Sequence, residues 1–356
     1  MEINDIEAQE MLNKKRNNNI KRRTLEGIIF ARVYCSIGII IFHFFCHSKG
    51  NFKFSYTSAN CDWGFMYVTS FFCISGSVIY YNYPIIHSLK YFYFKRWKSI
   101  FPSFYICYIY FFLKHVFKYH RLFYRGSCSY LIWTILGLDG YFLYKFKTYY
   151  LIGEWFLGAI IIIYILYPVI SWIFRKNILL INFIIFIGYL IMFKTNFFII
   201  TKRRNIITCI YSFYFGMLAI EFKQLFFKNK KTFAITLIIL IFLCFIRLPK
   251  FLLIFQIQGF CLFVALIQIG EYLMNFRFKA IFVRMNSLTY NIFLFQRMII
   301  LDILSVNNPT EWYLIMLLLI ITIILTVICA KILLIIVNSI IGSRTFKIIE
   351  YIFLKI

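Results

Sequence analysis

Two ionisable residues stand inside the first long apolar run, GIIFARVYCSIGIIIFHFFC, and they are the first candidates for chemistry. Arg32 and His43 have ten residues between them. Eleven helical steps of about 100° return to nearly the same face, so both side chains point into one groove, about 16 Å apart along the axis. A charged side chain near the middle of a bilayer costs about 2.5 to 3.5 kcal/mol on insertion scales, which makes each one a functional candidate. For the pair alone, the competing reading is a snorkelling arginine and an interfacial histidine.

Other reactive groups are sparse. His43, His47, His87, His115 and His120 are not grouped with acids at ligand spacing, so no metal is expected. The ten cysteines are scattered singly, without a CxxC pair, and read as small packing residues. No nucleotide-binding loop is present.

A bundle of membrane helices must position Arg32 and His43. With 62% hydrophobic and 15% charged residues over 356 positions, the chain is too apolar for a soluble domain of its length. Apolar runs long enough to cross a hydrocarbon core of about 30 Å recur along it, and each must be helical because lipid offers no partner to an open backbone amide. Spans are predicted near residues 27 to 47, 63 to 83, 99 to 117, 150 to 173, 178 to 194, 205 to 221, 232 to 247, 250 to 268, 287 to 304 and 312 to 337. The expected fold is an all-α polytopic bundle of about ten transmembrane helices. The stretch 129 to 144, interrupted by Gly137, Asp139 and Gly140, is either re-entrant or an eleventh span.

The formal net charge of +26 does not point to nucleic acid, because the basic residues are dispersed among short loops. They read instead as positive-inside loops that also attract anionic lipid. Lys14, Lys15, Arg16, Lys21, Arg22 and Arg23 precede the first span and argue for a cytoplasmic N-terminus. The leader is polar and the first span lacks a small-residue cleavage site, so that helix is expected to be retained as an anchor. The expected organisation is a basic arm over 1–26, one transmembrane domain over 27–340 and a short tail over 341–356. The longest non-spanning stretch, 118 to 150, leaves no room for an extramembrane catalytic domain. Chemistry therefore belongs within or at the edge of the bundle. Arg32 then lies toward the cytoplasmic end of its groove and His43 toward the outer end, so a donor and an acceptor can enter from opposite sides.

An arginine, ten residues and a histidine in the first span resemble the signature of the membrane acyltransferase-3 family, and further motifs follow in order. FFCISGSVIYY is similar to the family's Phe-Phe-x-x-Ser-Gly element through Phe71, Phe72, Ser75 and Gly76. Small residues there let helices, or a thin acyl-pantetheine arm, approach closely. KYFYFKRWKSIFPSFY resembles the family's basic stretch before a proline through Arg96 and Pro102. Ser99 stands where a second arginine is usual, and Lys98 is the nearest cation. GLDGYF followed by YYLIGEWFLGAIIIIYILYP resembles the capsule and exopolysaccharide acetyltransferase branch through Asp139, Gly153, Glu154, Trp155, Gly158 and Pro168. NSLTYNIFLFQ resembles a late Ser-Tyr-x-x-Tyr-Leu-x-His element through Ser287, Tyr290, Phe293 and Leu294, with Gln296 where many members have histidine. A neutral amide orients a substrate but does not exchange protons near pH 7, which concentrates the basic role on His43.

The resemblance implies an O-acyltransferase that takes acetyl-CoA as donor and a surface polysaccharide or its lipid-linked precursor as acceptor. Arg96 and Lys98 would hold the donor phosphates, although an ammonium does not reproduce a guanidinium fork, and a positive-inside loop is the alternative. The pantetheine arm would run past Arg32, Ser75 and Gly76 to His43. Glu154 and Trp155 suit sugar hydroxyls by hydrogen bonding and stacking, with an aromatic belt as the rival account of Trp155. Asp139, Tyr290 and Gln296 complete the expected acceptor site. His43 acts either as general base or as a transient acetyl carrier. The implied setting is a bacterial plasma membrane, with polysaccharide assembly proteins as candidate partners. The rival classes are a flippase or transporter of lipid-linked sugars, which calls for broken helices in matched halves, and a polymerase, which calls for a large outer loop.

Overall fold

A computed structural model describes residues 26–49, 62–122, 127–146, 152, 154–195, 199–245, 252–274 and 279–355, with the side chain of Glu154 outside that set. Over their described residues, all ten predicted spans fall on helices to within a residue. In chain order these helices are α1 (Glu26–His47), α2 (Trp63–Asn82), α3 (Leu89–Tyr119), α4 (Leu131–Ile135), α5 (Glu154–Lys176), α6 (Ile178–Lys194) and α7 (Ile206–Glu221). There follow α8 (Lys223–Phe227), α9 (Lys230–Phe245), α10 (Leu252–Leu273), α11 (Lys279–Val306), α12 (Trp312–Gly342) and α13 (Arg344–Lys355). No strand occurs among the described residues. Among the described residues, seven helices, α1, α2, α3, α5, α10, α11 and α12, are long and apolar enough to cross a membrane, and α6 and α7 are shorter apolar helices. The protein is an all-α polytopic membrane protein.

The stretch 129 to 144 does not form one continuous helix. It breaks into short 3-10 turns at Cys128–Tyr130 and Tyr141–Tyr144 around the five-residue α4. Gly137 causes the break with φ +68°, a left-handed conformation that glycine adopts without steric cost. Asp139, buried behind it, accepts from Gly140 N at 2.9 Å and from Thr134 Oγ1 at 3.2 Å.

Two helices extend well beyond their apolar runs. α3 starts at Leu89, ten residues before the predicted 99, where the Ser88 side chain caps it by accepting from Tyr91 N at 3.2 Å. α11 starts at Lys279, whose ammonium pairs with Glu26 at the start of α1. Hydropathy finds only the part of a helix inside hydrocarbon, so these polar first turns escape it.

The expected tail is mostly helix. α13 follows α12 after Ser343 alone and folds back onto the start of α3. Phe346 stacks on Trp97 with centroids 6.4 Å apart, Phe353 stacks on Phe94 at 5.2 Å, and Glu350 lies between Lys98 and Lys95.

At the centre, α2 packs backbone to backbone against α7 and α10. A Cβ on Gly76 would lie 1.9 Å from the Phe213 carbonyl oxygen, and one on Gly216 would lie 1.9 Å from that of Cys73. Hydroxyls stitch the same seam: Ser77 Oγ donates to Gly216 O and Ser70 Oγ to Gly259 O, each at 2.9 Å. Such close approach suits membrane helices, whose association gains little from excluding water. Large apolar side chains of α6, α9 and α12, among them Phe183, Ile238 and Ile320, remain exposed, as a lipid-facing surface requires.

Candidate active site

One cavity of about 460 Å³ runs between α1, α2, α3, α5 and α11 and is lined by Arg32, His43 and Arg96, three of the ionisable side chains that sequence reasoning selects. α1 supplies both ends: Arg32 and His43 line it, as their shared helix face requires. Arg32 Nη1 donates to Asn286 Oδ1 of α11 at 3.4 Å, which ties the first helix to the eleventh. His43 is half-buried beside Phe42, and its carbonyl accepts from His47 Nδ1 at 2.8 Å.

Arg96 enters the cavity from α3 at the Arg32 end. Its guanidinium lies over the rings of Tyr83, Phe92 and Tyr164 at 5.1 to 6.0 Å, and Nη2 donates to Tyr83 Oη at 3.4 Å. Its Nε is buried and has no hydrogen-bond partner among the described residues. A guanidinium clamped by aromatic faces, with one in-plane donor unused, is poised for an anion. Between the ends the lining is apolar, including Val68, Phe71, Ile74, Phe156, Ile160 and Phe293, with Ser75 on the same wall. The whole is a channel with Arg32 and Arg96 at one end, an apolar middle, and His43 with Asp62, Arg203 and Arg204 at the other end.

Lys98 does not join it. Two residues after Arg96, and about 200° further round the helix, its ammonium reaches Glu350 of α13 at 2.6 Å. Gly76 is taken up by the α7 backbone, so its smallness serves helix contact and leaves Ser75 alone of that pair facing the cavity.

The expected acceptor residues divide in the same way. Trp155 and Tyr290 line the cavity. The phenol of Tyr290 is committed to Ile100 O at 3.1 Å, so it contributes its ring. Trp155 carries Arg204 over its indole at 5.8 Å and meets Phe72 at 6.2 Å, which gives that ring cation and aromatic neighbours already. Gln296 is buried away from the cavity lining, and its Oε1 has no hydrogen-bond partner among the described residues. Asp139 braces the loop after α4 and is also absent from the lining. Glu154 opens α5, and its side chain lies outside the described residues, as does Gly153.

Sequence reasoning missed Asp62, Arg203 and Arg204, which line the His43 end, and Asn286, the partner of Arg32. Asp62 is the N-cap of α2, its Oδ1 accepting from Phe65 N at 3.0 Å. The aspartate just ahead of an apolar run was the available signal for it. Arg203 and Arg204 sit in a short basic loop indistinguishable by composition from the others.

No curated protein and no solved structure gives a match to the chain. The family model described as an acyltransferase domain matches residues 25–331, which takes in every helix that lines the cavity. The chain therefore belongs to the acyltransferase-3 family, and the protein is a membrane acyltransferase.

Proposed function

We propose that the protein moves an acetyl group from cytoplasmic acetyl-CoA to a hydroxyl of a surface polysaccharide or its lipid-linked precursor, in the plasma membrane of a bacterial cell. The observation that carries this reading is the single cavity with Arg32 and Arg96 at one end and His43 at the other. A phosphorylated carrier with a thin pantetheine arm matches that layout. Its anionic end meets the guanidiniums, its arm follows the apolar middle past Ser75, and its thioester ends beside an imidazole.

Chemistry at His43 takes one of two routes. As a general base it accepts the sugar hydroxyl's proton while the oxygen attacks the thioester carbonyl; the C–S bond breaks and the CoA thiolate leaves. As a nucleophile its ring nitrogen attacks the thioester carbonyl, the C–S bond breaks and the CoA thiolate leaves; the sugar oxygen then attacks the acetyl-imidazole, the C–N bond breaks and the hydroxyl proton ends on the freed imidazole. Acetyl-histidine trapped during turnover without acceptor selects the second route. The acceptor approaches from the His43 end, where Trp155 and Glu154 belong to the same segment and polysaccharide assembly proteins would deliver the glycan.

The test compares the O-acetyl content of surface polysaccharide from cells with wild-type protein, a deletion, and His43→Ala at matched membrane levels. Loss of acetyl groups with polymer yield unchanged supports acetyl transfer. Persistent acetylation with reduced export or chain length replaces it with a flippase or polymerase.

A further inference from the structure

The His43 end of the cavity carries more positive charge than a neutral sugar calls for. Arg203 and Arg204, adjacent in the connection between α6 and α7, both line it. Arg203 Nη1 donates to Asp62 Oδ2 at 2.5 Å, and its guanidinium lies 4.5 Å from the centre of the Phe255 ring. Asp62 is the one acid among the described lining residues, so a single carboxylate faces two guanidiniums. Arg204 is exposed, has its guanidinium carbon 5.8 Å from the centre of the Trp155 ring, and has no carboxylate partner among the described residues. A guanidinium restrained against an aromatic ring and without a carboxylate of its own keeps N–H donors for a carboxylate or phosphate, which its planar fork can take in a bidentate grip.

The arginines are held on a fixed turn. Arg204 N donates to Thr201 O at 2.9 Å, Thr208 Oγ1 to Lys202 O at 2.7 Å, and Lys202 Nζ to Phe193 O at 2.6 Å. Asn205 caps α7 immediately afterwards, accepting from Ile207 N at 2.9 Å. In the orientation proposed above this is the outer end, where the positive-inside rule works against a Lys-Arg-Arg run.

We infer that Arg203 and Arg204 bind an oxyanion on the acceptor, so that the glycan used here is acidic, with a carboxylate or phosphate near the hydroxyl that receives the acetyl group. The inference rests on the acetyl-transfer reading of the same cavity. Arg204 supplies the open fork. Arg203, half-neutralised by Asp62, sets the strength of the grip. Trp155 is then the platform that orients Arg204 as well as a wall for the sugar.

The test uses membranes containing the full-length chain, radiolabelled acetyl-CoA, and the glycan fraction of deletion cells after mild base treatment, polymer and lipid-linked oligosaccharide together. The glycan is offered untreated, carboxyl-reduced, or freed of phosphate with aqueous hydrofluoric acid. For the wild type, one neutralising treatment raises KM about tenfold, and which one does so identifies the anion. Arg204→Gln raises KM for untreated glycan to a similar degree and closes the gap between untreated and neutralised forms, while Arg204→Lys restores part of it. Asp62→Asn keeps an oxygen to cap α2 but frees Arg203, and lowers KM for untreated glycan. Equal wild-type KM values for all three forms, or an Arg204→Gln loss confined to kcat with the gap intact, overturns the inference while leaving acetyl transfer standing. No wild-type incorporation into any form overturns the acetyl-transfer reading and this one with it.

Discussion

The ammonium of Lys98 sits 2.6 Å from the carboxylate of Glu350, a residue 252 positions later in the chain. The contact holds one of two neighbouring cations away from the cavity and leaves Arg96 in its lining, the residue proposed above to meet the donor. Arg96→Gln removes a charge-assisted donor worth about 1.5 to 3 kcal/mol, so KM for acetyl-CoA is expected to rise roughly tenfold to a hundredfold. Lys98→Ala is expected to leave it within about twofold, because a partly exposed ion pair contributes only about 0 to 1 kcal/mol. Steady-state kinetics on matched membranes separate the two.

Glu350→Gln loosens α13 without touching the cavity. Hydrogen exchange is expected to rise in residues 344–355, where α13 rests on Trp97 and Phe94, and to stay unchanged in α2 and α7. Equal protection in wild type and variant would show that the stacked rings hold α13 alone.

His43→Ala is expected to lower acetyl transfer by about a hundredfold to ten-thousandfold, the usual contribution of a positioned acid–base group. His47→Ala is the matched control. His47 donates to the His43 carbonyl and lies outside the cavity lining, so its removal is expected to cost less than about tenfold.

Gly76→Val places branched carbon against the Phe213 carbonyl, where even a Cβ would approach to 1.9 Å. The two helices must separate, and the expected cost is about 3 kcal/mol or more, read as a fall in the melting midpoint of detergent-solubilised protein. Gly342→Ala is the opposite case. Nothing lies within 4 Å of its Cβ position, and the substitution is expected to stabilise by about 0.4 to 1 kcal/mol.

Asp139→Ala removes the acceptor for Thr134 Oγ1 and Gly140 N. Its expected effect is a stability loss of about 1 to 3 kcal/mol, with acceptor KM in the folded fraction within about twofold of wild type. A large rise in KM at unchanged stability would return Asp139 to the acceptor site.

The helical positions were legible because ten apolar runs interrupted by charge leave lipid-embedded backbone one solution. The pairing of Arg32 with His43 was equally legible, since helical period alone puts them on one face. The direction of Lys98 was not. Reading it required α3 to begin at Leu89, outside hydrocarbon, and α13 to return, and neither leaves an apolar run to find. Gly76 was read both ways, as room for a helix or for an acyl arm, and the choice depended on where Phe213 falls, 137 residues on. Arg203 and Arg204 were hidden for the same reason: Arg203 meets Asp62 across 141 residues, and a loop's composition says nothing of what it faces.

Arg32 and its partner Asn286 are separated by 254 residues, a distance that becomes a delay during synthesis. The first helix reaches the bilayer long before its partner exists, carrying a guanidinium on its seventh residue. Alone in lipid that group is costly, so the nascent helix rides with Arg32 drawn toward the headgroups until α11 arrives to receive it. A ribosome stalled before residue 279 therefore leaves several helices in the membrane and no cavity wall from α11, and the reaction vessel closes only when most of the chain has been made.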